Sequence, residues 1–163
     1  MNLILDACST INLHNGDMLE SVLQLTSLRF AFYMGMIVRG ECGDLIPYID
    51  DAARDGRITI LPGNAITPAE FAATLNQYEL GLGETECIVH AQHQTLNVCT
   101  DDKAARNAAK NYLGESRVLG SVRLIRECVC AGIITAHRAY LAYELTKSRG
   151  AFLPDIPASY FDF

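Results

Sequence analysis

Five short apolar runs, each followed by a stretch with helical spacing, constrain this chain more than any other feature. Residues 3–5, 30–38, 58–61, 96–99 and 117–119 are too short for core helices and too apolar for surface loops. Runs of this kind read as strands buried on both faces, which points to a parallel sheet whose crossovers are the intervening helices. Met18, Val22, Leu25 and Leu28 form one stripe of a predicted helix over 17–28, and 41–54 turns Leu45, Tyr48, Ile49 and Ala52 inward. Thr67-Pro68-Ala69-Glu70 supplies an N-cap, a first-turn proline and an acid three residues after the cap, opening a helix to about Tyr78. Beyond the break at Gly81-Leu82-Gly83, helices are predicted over 84–94, 103–112, 121–131 and 136–148, with Gly114, Gly132 and Gly150 as stops. The expected fold is a three-layer α/β/α sandwich over residues 1–134 with a short parallel sheet of about five strands. Residues 135–163 add a helix and a tail rich in proline and aromatic residues, packed on the same domain or on a partner subunit.

With 163 residues, half of them apolar and a fifth charged, the chain can bury a core without a metal or disulfide. No run reaches the roughly 18 apolar residues of a membrane span. The first residues lack a basic stretch and meet an acid at Asp6, so no signal peptide is expected and the chain reads as cytoplasmic. Its six cysteines include no Cys-x-x-Cys pair and read as reduced, mostly buried thiols. Cys128 and Cys130, two apart on a helix, point away from each other. Cys87, His90, His93 and Cys99 have the composition of a zinc set, but three-residue helical steps suit at most two of them to one ion. Buried thiols beside half-exposed histidines are the expectation. No dinucleotide or Walker fingerprint is present, since Gly81-Leu82-Gly83 does not follow a strand.

In open parallel sheets, ligands bind beyond the carboxyl ends of the strands where the strand order reverses. Here the first strand ends at Asp6 and the fourth at Asp101-Asp102. If those strands are neighbours, their carboxylates share one crevice and raise one another's pKa unless a hard cation intervenes. Oxygen-only ligands favour Mg²⁺ or Mn²⁺. Each acid also has a purely structural explanation. Asp6 could cap a helix, and one of Asp101 and Asp102 is expected to cap the helix from 103. Glu84, Glu86 and Glu41 could be first-turn acids favoured by helix dipoles, Glu41 at the opening of its helix.

The segments LILDACSTINL at 3–13, VRGE at 38–41, GLGETECIVHA at 81–91, VCTDDKAARNAA at 98–109 and VLGSVRLI at 118–125 resemble the successive motifs of PIN-domain ribonucleases. The likeness is to the branch with Gly-x-Gly-Glu-x-Glu before the third acid, and it spans 1–134. It implies Mg²⁺- or Mn²⁺-dependent hydrolysis of RNA, and many members are toxins of toxin–antitoxin pairs. Carried over by position, Asp6, Glu41, Glu86 and Asp101 match the four acids, with Asp102 as a further metal ligand and Glu84 as an auxiliary. Cys8 stands where the family often has Ser, Thr or Asn, so Ser9 or Thr10 would have to supply that hydroxyl. Ser121 matches a small hydroxyl residue often found after the fifth strand.

Charge is divided along the chain, with fourteen acids against four bases up to residue 102 and nine bases against five acids beyond it. That division suits cations on one side and phosphates on the other, with Arg106, Lys110 and Arg123 as candidates for the RNA backbone. A solvated helix face is the alternative explanation of those bases. Expected partners are an RNA substrate, an antitoxin protein and a second copy of the chain, with no membrane. The rival reading is a non-catalytic binding module whose acidic pocket receives an arginine from a partner protein. An aspartate-nucleophile phosphatase fits less well, because Cys8 occupies the position of its second acid.

Overall fold

The computed structural model describes residues 1–162. Its sheet contains β1 (Asn2–Leu5), β2 (Ala31–Gly35), β3 (Thr59–Leu61), β4 (Asn97–Cys99) and β5 (Val118–Leu119). All neighbours are parallel, in the order β3-β2-β1-β4-β5. Leu3, Ile4 and Leu5 are wholly buried in the central strand, and Ile4 is in register with Tyr33 on one side and Val98 on the other. The chain moves outward from β1 through β2 to β3, then returns to β1's other side for β4. The order therefore reverses between β1 and β4, the two strands whose carboxyl ends lead into Asp6 and Asp101.

Helices cover both faces: α1 (Ala7–Asn15), α2 (Leu19–Leu23), α3 (Met36–Glu41), α4 (Ile46–Arg54), α5 (Pro68–Tyr78), α6 (Leu82–His93), α7 (Lys103–Leu113), α8 (Ser121–Cys130) and α9 (Ala136–Ser148). The main core joins the sheet to α1, α4, α6, α8 and α9. The predicted capping box forms at Thr67 and Glu70, and Gly114, Gly132 and Gly150 take left-handed φ values of 95°, 70° and 95° where chain segments end.

Three local expectations are corrected. The helix expected over 17–28 is α2 followed by a 3-10 turn at Gln24–Ser27. The tighter winding rotates Leu28 out of the stripe, leaving it 60% exposed. The strand expected to reach Val38 stops at Gly35, and Val38 lies inside α3. Finally, Glu41 closes α3 instead of opening a helix, and the next helix begins at Ile46 after a 3-10 turn at Gly43–Leu45.

The segment after α9 lies against its own chain. Leu153 and Phe161 are buried, and the Tyr143 hydroxyl donates to the Pro154 carbonyl at 2.8 Å while accepting the Ile156 N–H at 3.3 Å. Phe163, the last residue of the predicted tail, lies outside the described residues.

Candidate functional site

Asp6 follows β1 without an intervening residue and is the N-cap of α1, its Oδ1 accepting the Ser9 N–H at 2.6 Å. Its own N–H donates to the Cys99 carbonyl at 3.1 Å, which ties the end of β1 to β4. The Ser9 hydroxyl donates to the same carbonyl at 2.9 Å, and Thr10 Oγ1 donates to the Asp6 carbonyl at 2.7 Å. These two hydroxyls are thus occupied in joining strand to helix. Asp6 is 3% exposed, and burial pushes its carboxyl up to about 6. Hydrogen bonds from Ser9 and Thr100 oppose that rise, while the charge of Asp101 adds to it.

Asp101 is fixed from three elements. Asn12 Nδ2 of α1 donates to Oδ2 at 2.9 Å, the Ser121 N–H of α8 donates to Oδ1 at 2.9 Å, and an Arg106 guanidinium nitrogen of α7 lies 3.6 Å from Oδ1. Ser121 Oγ is buried with no hydrogen-bond partner. Asp102 takes the capping role, its Oδ1 accepting the Ala105 N–H at 2.8 Å.

Glu41 and Glu86 make a reciprocal arrangement between α3 and α6. Glu86, on α6, reaches the start of α3, where its Oε2 accepts the N–H groups of Ile37 at 2.9 Å and Val38 at 3.0 Å. Glu41, at the end of α3, reaches the start of α6 and accepts the Gly83 N–H at 3.1 Å. Both approaches require glycine: a Cβ on Gly35 would lie 2.0 Å from Glu86 Oε2, and one on Gly83 would lie 2.1 Å from Glu41 Oε2. Glu84 instead caps its own helix through the Gly81 N–H at 2.9 Å. Burial is the largest cause of the upward shifts of both Glu84 and Glu86; Asp102 and Glu41 add to the first, and Glu41 to the second.

Cys8, in the first turn of α1, stands close to the acids. Burial pushes its thiol up to about 12, and the charges of Asp6, Asp101, Asp102 and Glu84 all act in the same direction. Asp6 and Asp101 both attach to α1, through the Ser9 N–H and Asn12, while Glu41 and Glu86 lie between α3 and α6. Among the described residues, no three His, Cys, Asp or Glu side chains form a ready-made cation cage. Asp6 and Asp101 are the two acids at the reversal point of the sheet, where the end of β1 meets the end of β4.

Residues 3–155 match a family described as a PIN domain. The chain belongs to the PIN-domain family. PIN domains are generally nucleases, and the all-parallel sheet between helices is a nuclease-type fold of that kind. The match runs through α9 and past residue 134, where the motif likeness stops. No curated protein and no solved structure matches the chain.

Of the basic candidates in this PIN domain, Arg106 lies beside Asp101 and donates to the Thr100 carbonyl at 2.7 Å. Arg123 is held by Glu127, and Lys110 pairs with Glu115 about a turn further along α7. Asn12 escaped sequence reasoning because an asparagine inside a helix carries no spacing signal; only the fold brings it to Asp101. The histidine expectation is corrected at His90, which is wholly buried with neither ring nitrogen hydrogen-bonded. Cys128 is buried and Cys130 exposed, so the two share no site. No helix of the described residues is long and apolar enough to cross a membrane.

Proposed function

We propose that this PIN domain hydrolyses RNA phosphodiester bonds using Mg²⁺ or Mn²⁺ held at Asp6 and Asp101, with Glu86, Glu41 and Asp102 in support. The observation that carries the reading is the pair of buried carboxylates at the ends of adjacent strands, at the reversal point of the sheet. Among the described residues no lysine, arginine or histidine forms an ion pair with Asp6. A buried acid without a cationic partner is costly to ionise, and a hard divalent ion relieves that cost. The donor set fits such an ion, because Mg²⁺ takes one or two carboxylates and completes its shell with waters and substrate phosphate.

Bound there, the ion would supply an activated water and neutralise charge developing on the phosphate. The chain's own groups set the geometry. Asn12 and the Ser121 N–H hold Asp101, the Ser9 N–H and Thr100 hold Asp6, and the crossed carboxylates keep Glu41 and Glu86 at the rim. The same crevice suits the arginine of an inhibitory antitoxin, because a guanidinium binds a carboxylate through two parallel hydrogen bonds. We accordingly read the nuclease as the toxin of such a pair.

The test is Mn²⁺ titration calorimetry on the wild type and on Asp6→Asn, alongside cleavage of single-stranded RNA with and without chelator. Binding and cleavage are expected in the wild type, and both are lost in the variant. Undiminished cleavage by Asp6→Asn, or in excess chelator, overturns the metal-dependent reading.

A further inference from the structure

A cavity of about 170 Å³ has Asp101, one of the two acids at the strand ends, in its wall. Two guanidiniums line it, from Arg106 and Arg123, together with Gly120 at the start of α8. Ile156 and Tyr160, from the segment after α9, form its outer wall. Gly120 permits the arrangement. A Cβ there would lie 2.4 Å from an Arg106 guanidinium nitrogen and 2.7 Å from Asp101 Oδ1, so only glycine lets the cation lie against the helix end.

The charges around this cavity are unequal. Arg106 stands 3.6 Å from Asp101. Arg123 and Arg29 both pair with Glu127, at 2.8 Å and 2.9 Å, and Arg126 sits 5.1 Å over the Tyr160 ring. Of the charged residues that line the cavity, two are arginines, Arg106 and Arg123, and one is a carboxylate, Asp101. The lining therefore carries one positive charge in excess. A volume of 170 Å³ is below the roughly 300–1,000 Å³ of pockets that enclose a whole small molecule. It suits an anionic group on a larger ligand.

We propose that this cavity is a phosphate subsite for the RNA strand, completed by the C-terminal segment. It would receive a phosphate flanking the one at the Asp6–Asp101 pair. The proposal rests on the ribonuclease reading for the identity of the strand. It adds that residues 154–160 belong to the substrate site as well as to the fold.

Ile156 allows a test by sign of charge, because it lines the cavity and its N–H is already satisfied by Tyr143. The probe is a labelled single-stranded RNA in chelator, with affinity measured across a salt series. Ile156→Glu is expected to weaken binding about tenfold, and Ile156→Lys to tighten it several-fold. The lysine should steepen the salt dependence by about 0.7 in slope, the increment for one phosphate contact on a single strand. Thermal unfolding and Mn²⁺ calorimetry on both variants establish that the fold and the acidic crevice are intact.

Equal weakening by both charges, or no response to either, overturns the subsite, as does a wild type that fails to bind RNA at low salt. The ribonuclease reading fails separately. RNA that binds with the expected charge dependence, yet is never cut in Mn²⁺, removes the hydrolytic activity and leaves the subsite standing.

Discussion

Asp6 bears a cost that its neighbours only partly relieve. Its carboxyl is raised from 3.8 to about 6, so between those values the native chain binds a proton that the unfolded chain has lost. The sign follows. At neutral pH the ionised Asp6 opposes folding by at most about 3 kcal/mol, and that cost fades as pH falls through 6 toward 4. Asp6→Asn keeps an oxygen to accept the Ser9 N–H and carries no charge. The variant is therefore expected to be more stable than the wild type at pH 7, with the gain vanishing near pH 4. Urea unfolding at both pH values checks this, and the residue that abolishes Mn²⁺ binding should be the one that stabilises the fold. His90 presents the opposite linkage. Burial lowers its pKa below 6.5, so below that value the unfolded chain binds the extra proton and stability falls with pH. His90→Leu removes the proton and two unpartnered buried nitrogens, and is expected to flatten the acid limb of a stability–pH profile below about pH 6.5.

Between elements, what could be read in the sequence depended on whether the determining partner was near in the chain. The capping box at Thr67 is local, and α5 starts where it says. α5 has one fully buried residue, Thr74, and only partly buried Phe71, Leu75 and Tyr78 beside it, so the cap matters to its first turn. Thr67→Ala is expected to cost about 1 kcal/mol and to raise amide exchange in the first turn of α5 more than elsewhere. The end of β2 is the contrary case. Nothing in Gly35-Met36-Ile37-Val38 announces a helix, because the acceptor for its first N–H groups is Glu86, 48 residues away from Val38. Glu41 was misplaced for the same reason, since the helix end it serves belongs to α6. Asp6 and Asp101 were legible because a strand end is marked by local pattern. Asn12 was not, because its meaning depends on β4 lying beside β1.

Across the whole molecule, the acidic and basic parts of the chain meet along one line, from the carboxyl ends of β1 and β4 to the start of α8. The sequence carried this division, and the sheet order turns it into a surface by placing β4 next to β1 and β5 outside it. The net charge of −6 would repel RNA at long range, so the proposed substrate would have to be held by a local field at that line. The crossed contacts of Glu41 and Glu86 have a consequence for the rest of the fold. Everything from Cys42 to Leu82, including α4, β3 and α5, is an excursion whose two ends are clasped together by carboxylates that cap one another's helices. Such a clasp fixes the spacing of α3 and α6 from both ends of the excursion. α4 and β3 stay bound to the core and to β2, so it is the loops joining them to α5 that can change length while the acids stay in place, and there one PIN scaffold can acquire a new outer surface without relearning its centre.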